Sequence, residues 1–126
     1  MQPIDTKEAP AAIGPYSQGV RAARLVFVSG QIPLDPATGQ IVPGDVAAQT
    51  ERVLRNMEGI LRAAGCGFAD VSRTTIYLVD LAHFAIVNEV YARFFTAPYP
   101  ARVTVQVAAL PRSSLVEIDA IATARD

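Results

Sequence analysis

Tyr99-Pro100-Ala101-Arg102-Val103-Thr104-Val105-Gln106-Val107, YPARVTVQV, opens on a proline and then alternates polar and apolar residues. Alternation with period two marks a strand with one buried face and one polar face. Val103, Val105 and Val107 share one side, and Arg102, Thr104 and Gln106 share the other. The chain then turns through Leu110-Pro111-Arg112-Ser113-Ser114 into a second alternating run, Leu115 to Thr123, where Val116, Ile118 and Ala120 oppose Glu117 and Asp119. The two runs read as a terminal hairpin. Antiparallel neighbours facing alike would bring Glu117 near the row of Arg102, Thr104 and Gln106. Two readings of that polar row stay open. One is a cross-strand ion pair on a wet surface, contributing at most ~1 kcal/mol. The other is an anion site, because a planar guanidinium matches a carboxylate or phosphate bidentately.

Working back along the chain, Val46 to Ala64 places Val46, Val53, Leu54, Met57, Ile60 and Leu61 on one side of a 3.6-residue period. This predicts an amphipathic helix capped by Asp45 and stopped at Gly65. A second helix is expected from Leu81 to Thr96, capped by Asp80, with a stripe of Phe84, Val87, Tyr91, Phe94 and Phe95 and with Pro98 beyond its end. Leu25 to Ile32 and Val71 to Val79 read as further strands, preceded by a weaker one at Ser17 to Ala22. The pattern predicts a single α+β domain. Leu25-Val26-Phe27-Val28 and Ile76-Tyr77-Leu78-Val79 are apolar on both faces. Two helices cover one face of such a sheet, so the other face needs a cover the chain does not supply, and another copy of the chain is the economical one.

Composition narrows the function classes. With 126 residues the chain is long enough for one core, and a net charge of -1 with scattered Lys and Arg leaves no nucleic-acid footprint. Cys66 is the only cysteine and His83 the only histidine, so neither an intrachain disulfide nor a Cys/His metal cage can form. The N-terminal segment lacks a signal-peptide pattern, and no apolar run approaches the ~20 residues of a membrane span. The expectation is a soluble, cytoplasmic protein with no membrane or nucleic-acid partner. His83 reads as a solvated helix residue and Cys66, in Gly65-Cys66-Gly67, as a small turn residue. Gly30 interrupts an apolar strand, which suggests a bulge or a close backbone approach. Tyr16, after Gly14-Pro15, reads as a loop anchor.

Pro100-Ala101-Arg102-Val103-Thr104-Val105, with Ala108, Leu110 and Val116-Glu117-Ile118 after it, resembles the C-terminal signature of the RidA family of reactive intermediate deaminases, also called YjgF or L-PSP proteins. AAIGPYSQGV at 11 to 20, VSGQIPLDPATG at 28 to 39 and VNEVYARFF at 87 to 95 resemble the same family, in the same order and over essentially the whole chain. The resemblance implies a chorismate-mutase-like sheet with two helices on one face, assembled as a homotrimer with sites at the subunit clefts. It also implies hydrolysis of 2-imino acids, such as 2-iminobutanoate and 2-iminopropanoate, to 2-oxo acids and ammonia, without metal or cofactor. Carried over by position, Arg102 would clamp the substrate carboxylate with help from the Gly30 backbone N–H. Tyr16, Thr104 and Glu117 would line the rest, Glu117 and Tyr16 near the imine or its attacking water. Asn88 would be a supporting residue, while Ser29 reads as either a wall residue of the site or filler. Thr104 stands where enteric members often carry cysteine, which argues against thiol chemistry. Two other classes remain: a ribonuclease-type translation inhibitor, which predicts a basic groove and an acid-base histidine, and a non-catalytic carboxylate-binding or chaperone-like trimer, which needs no Glu117.

Overall fold

The computed structural model describes residues 1–125. Six strands, β1 (Gln2–Ile4), β2 (Gly19–Ala22), β3 (Leu25–Gln31), β4 (Val71–Leu78), β5 (Ala101–Gln106) and β6 (Val116–Thr123), form one sheet in the order β1-β2-β3-β6-β4-β5. Two helices, α1 (Val46–Ala63) and α2 (Phe84–Tyr91), pack against it. The α+β expectation and the strand placements hold, with β1 an additional edge strand too short to show a period. All six apolar residues of the expected α1 stripe are buried. The Asp45 side chain accepts from the Ala48 N–H, a cap contributing about 1 kcal/mol. The second helix is shorter than its periodicity suggests. Asp80 caps a separate 3-10 turn, Leu81–His83, and α2 itself ends at Tyr91.

The terminal hairpin does not form. β5 lies at the sheet edge, parallel to β4 with Thr74 opposite Arg102 and Tyr77 opposite Val105, whereas β6 is inserted between β3 and β4, antiparallel to both. The cause is the helix between β4 and β5. A strand, a helix and a strand make a crossover unit whose strands run parallel, so β5 takes one edge of β4 and the following segment carries the chain across to its other edge. Facing residues in paired strands share a face. Arg102, opposite buried Thr74, therefore lies on the helix-covered side, and Glu117, opposite Tyr77, lies on the other. The two polar rows do not share a face as the hairpin reading expected.

The core fills the space between sheet and helices, with Val26, Val28, Ile76, Leu78, Val116 and Ile118 facing Val53, Leu54, Met57 and Ile60. On the opposite face Leu25, Phe27, Val103 and Val105 stay 42%, 37%, 39% and 37% exposed. This is the uncovered apolar face that the two-sided strands require. Between Val28 and Gln31 the register with β6 shifts by one residue, placing a bulge at Ser29 and Gly30.

Candidate functional site

Two clefts carry the candidate residues. The first, about 270 Å³, is lined by Tyr16, Gly30, Gln31, Glu117 and Pro111, with Pro10 and Leu34 as apolar walls. Buried Gln18 shapes it: its amide donates to the carbonyls of Thr6, Ala9 and Pro10 and its oxygen accepts from the Thr6 N–H, tying the N-terminal segment to the rim. Fully buried Asn56 does the same for the wall after β3, donating to the carbonyls of Ile32 and Leu34 at 3.3 and 2.9 Å. Tyr16 is 55% exposed and its hydroxyl accepts from the Ile13 N–H at 3.4 Å.

Glu117 is the ionisable centre of this cleft. Burial holds its carboxyl above the usual carboxylate range, and the neighbouring Asp119 charge pushes in the same direction. Asp119 in turn accepts from the Tyr77 hydroxyl at 2.9 Å. The bulge sets the backbone of Gly30 against this group: a Cβ there would overlap Glu117 Oε2 and lie 3.0 Å from Cδ. Ser29 does not line the cleft; its hydroxyl donates to the Ser17 carbonyl, closing the bulge onto the preceding loop.

The second cleft, about 540 Å³, is lined by Arg102, Asn88, Tyr91, Ala92, Tyr99 and Pro100. Arg102 Nη1 donates to Asn88 Oδ1 at 2.6 Å, and its guanidinium carbon sits 5.0 Å from the Tyr91 ring centroid and 5.6 Å from that of Phe84. Among the described residues no carboxylate pairs with it. The cation is thus held by a neutral amide and aromatic faces, so its charge stays available for an anion. Two residues along β5, Thr104 carries a buried hydroxyl without a hydrogen-bond partner. Such a group costs stability unless a ligand or another chain completes it.

The structure thus joins Tyr16, Gly30 and Glu117 in one cleft and Arg102 and Asn88 in the other, on opposite sides of the sheet. His83 lines neither, and Cys66 is buried with its thiol pushed up by burial and then by the Asp70 charge. Among the described residues no group of His, Cys, Asp and Glu is arranged to hold a metal ion. Nor among the described residues is any helix long and apolar enough to cross a membrane. Sequence reasoning missed Gln18, although it stands in the quoted AAIGPYSQGV run. It also took Tyr91 as plain core, where a tyrosine in an apolar stripe signals that its hydroxyl has a partner.

The family model described as Endoribonuclease L-PSP matches residues 6–124. The chain belongs to the RidA (YjgF/L-PSP) family. It is 60% identical to Protein DfrA of Myxococcus xanthus over 94% of this chain and 92% of that one. It is 53% identical to the 2-iminobutanoate/2-iminopropanoate deaminase of Mus musculus over 94% and 88%. A crystal structure of TdcF from E. coli with bound serine superposes with a TM-score of 0.94 at 47% identity, covering 99% of this chain and 100% of that one. These RidA-family likenesses span both clefts, since the match runs from before Tyr16 to beyond Glu117.

Proposed function

We propose that the protein hydrolyses small 2-imino acids, such as 2-iminobutanoate and 2-iminopropanoate, to 2-oxo acids and ammonia, in a site shared between copies of the chain. The observation that carries this reading is Arg102, an arginine held in place by Asn88 and Tyr91 with no carboxylate partner among the described residues. Support comes from the deaminase name of a relative 53% identical and from the serine, a small amino acid, bound by TdcF.

In this reading Arg102 binds the substrate carboxylate through the guanidinium edge that Asn88 leaves open, each charge-assisted bond contributing roughly 1.5–3 kcal/mol. The Gly30 backbone N–H adds a donor. A protonated imine is already electrophilic, so the site mainly orients it and supplies water. Glu117, its carboxyl held above the usual range by burial, accepts a proton as water oxygen bonds to C2. The carbinolamine then loses its hydroxyl proton, the amine takes a proton back, the C–N bond breaks, and ammonia and the 2-oxo acid leave. Tyr16 closes the cleft beside the reacting centre.

Arg102 and Glu117 occupy different clefts on opposite sides of one sheet, so a second copy is the natural source of the missing half. The exposed Leu25, Phe27, Val103 and Val105 favour a homotrimer built on the open sheet face. The test generates 2-iminobutanoate in situ with an amino-acid oxidase and follows 2-oxo acid release. Acceleration by the protein, lost in Glu117→Ala, is expected; equal rates with and without the protein overturn the reading. Retained acceleration in Glu117→Ala removes that carboxylate from the chemistry.

A further inference from the structure

Of the side chains of Asn88, Phe84 and Tyr91 that meet the Arg102 guanidinium, Tyr91 is the one rooted in the core. Asn88 and Phe84 are exposed, Phe84 to 40%. Tyr91 is 5% exposed, and its hydroxyl lies 2.7 Å from Oγ1 of fully buried Thr74. Thr74 is the residue paired with Arg102 across β4 and β5. Phe95 stacks on the same ring at 4.3 Å and 20°, and Phe68 meets Phe95 edge-on at 5.0 Å. The ring that lies 5.0 Å from the guanidinium is therefore fixed at its hydroxyl by a hydrogen bond and at its face by packing.

A phenylalanine would fill the same stripe position without a buried hydroxyl to satisfy. The tyrosine ties the ring to β4, one strand from the arginine it supports. A long side chain free to change rotamer loses affinity when a ligand must immobilise it, and a fixed ring within about 6 Å of the cation removes much of that loss.

We propose that Tyr91, tethered by Thr74, is the positioning residue for Arg102: its ring is the platform that holds the guanidinium ready for the substrate carboxylate. The inference rests on the reading of Arg102 as the carboxylate clamp.

The test measures binding of 2-oxobutanoate, a stable carboxylate, by calorimetry to the wild type, Tyr91→Leu, Tyr91→Phe, Arg102→Ala and the double variant Tyr91→Leu/Arg102→Ala, with thermal unfolding recorded for each. The expected Kd is weakened about 10-fold by Tyr91→Leu and about 3-fold by Tyr91→Phe, which keeps the ring but cuts its tether to Thr74. In the Arg102→Ala background Tyr91→Leu should add nothing, the coupling expected of a residue that acts through another. A purely structural tyrosine predicts instead that unfolding temperature falls while affinity stays. Wild-type affinity in Tyr91→Leu, or a loss that persists undiminished without Arg102, overturns the proposal. Wild-type affinity in Arg102→Ala overturns the clamp reading itself, and the proposal with it. If Tyr91→Leu fails to fold, Thr74→Val decides: cutting the tether should weaken binding about 3-fold, and unchanged affinity overturns the proposal.

Discussion

The carboxylate of Glu117 occupies the space that a side chain on residue 30 would need, and Gly30 is what leaves that space open. The atoms in the way are the far end of a flexible side chain, so an added methyl can be accommodated by turning Glu117 aside. Gly30→Ala should therefore fold with nearly unchanged thermal stability while 2-iminobutanoate hydrolysis falls by about 10-fold or more. Unfolding scans and initial rates on the same preparation check it, and full activity would show that the present Glu117 position is immaterial.

Arg102 has no carboxylate partner among the described residues, so removing it strands no buried charge. Arg102→Ala is expected to change stability by less than about 1 kcal/mol and to lower activity about 10-fold or more. Arg102→Lys should fall between the two, since an ammonium keeps the charge but loses the planar fork. Equal activity of all three forms would remove Arg102 from the site.

The raised Glu117 carboxyl has consequences of known sign. The folded state holds this proton more tightly than the unfolded chain, so the group favours folding below the ordinary glutamate value of about 4.3, and that contribution is lost as pH rises through the higher folded value. Glu117→Gln should thus be more stable than the wild type at neutral pH and lose this advantage in acid, as denaturant midpoints at several pH values would reveal. Wild-type hydrolysis should decline in acid at a pH above the ordinary carboxylate range, because the ionised form is needed. A decline centred near 4 would contradict the assigned role.

Phe27 and Val105 lie on the open face of the sheet, 37% exposed each. Replacing either with aspartate costs the isolated protomer little but sets a charge against any apolar cover. Sedimentation equilibrium should show a folded monomer for Val105→Asp, with activity lost in parallel. A monomer with full activity would separate catalysis from assembly.

Much of this was legible in the sequence, for identifiable reasons. The α1 stripe appeared because a long helix repeats its period several times, and the uncovered face appeared because Leu25 to Val28 is apolar on both sides. The place of β5 did not. Alternation in Val103 to Val107 defines a face but not a neighbour, and the short turn at Leu110 to Ser114 imitates a hairpin loop. The informative signal lay upstream, in the order β4, α2, β5, because parallel neighbours need a long crossover and the intervening helix supplies one. The same misplacement set Glu117 beside Arg102, whereas Tyr77 stands next to Glu117 and the arginine lies on the far side of the sheet. Residue types marked both clefts; only the strand order showed that they lie on opposite sides of the sheet.

That division allows a direct measurement. Arg102→Ala and Glu117→Ala, each expected to be at least about 10-fold less active alone, are mixed, unfolded and refolded together or left to exchange subunits, and 2-iminobutanoate hydrolysis is assayed. If the clamp and the carboxylate of one site come from different copies, random mixing of equal amounts restores both groups to about a quarter of the sites and returns about that fraction of wild-type activity. A mixture that exchanges subunits and yet stays as inactive as its components would place both groups in one protomer and contradict the account.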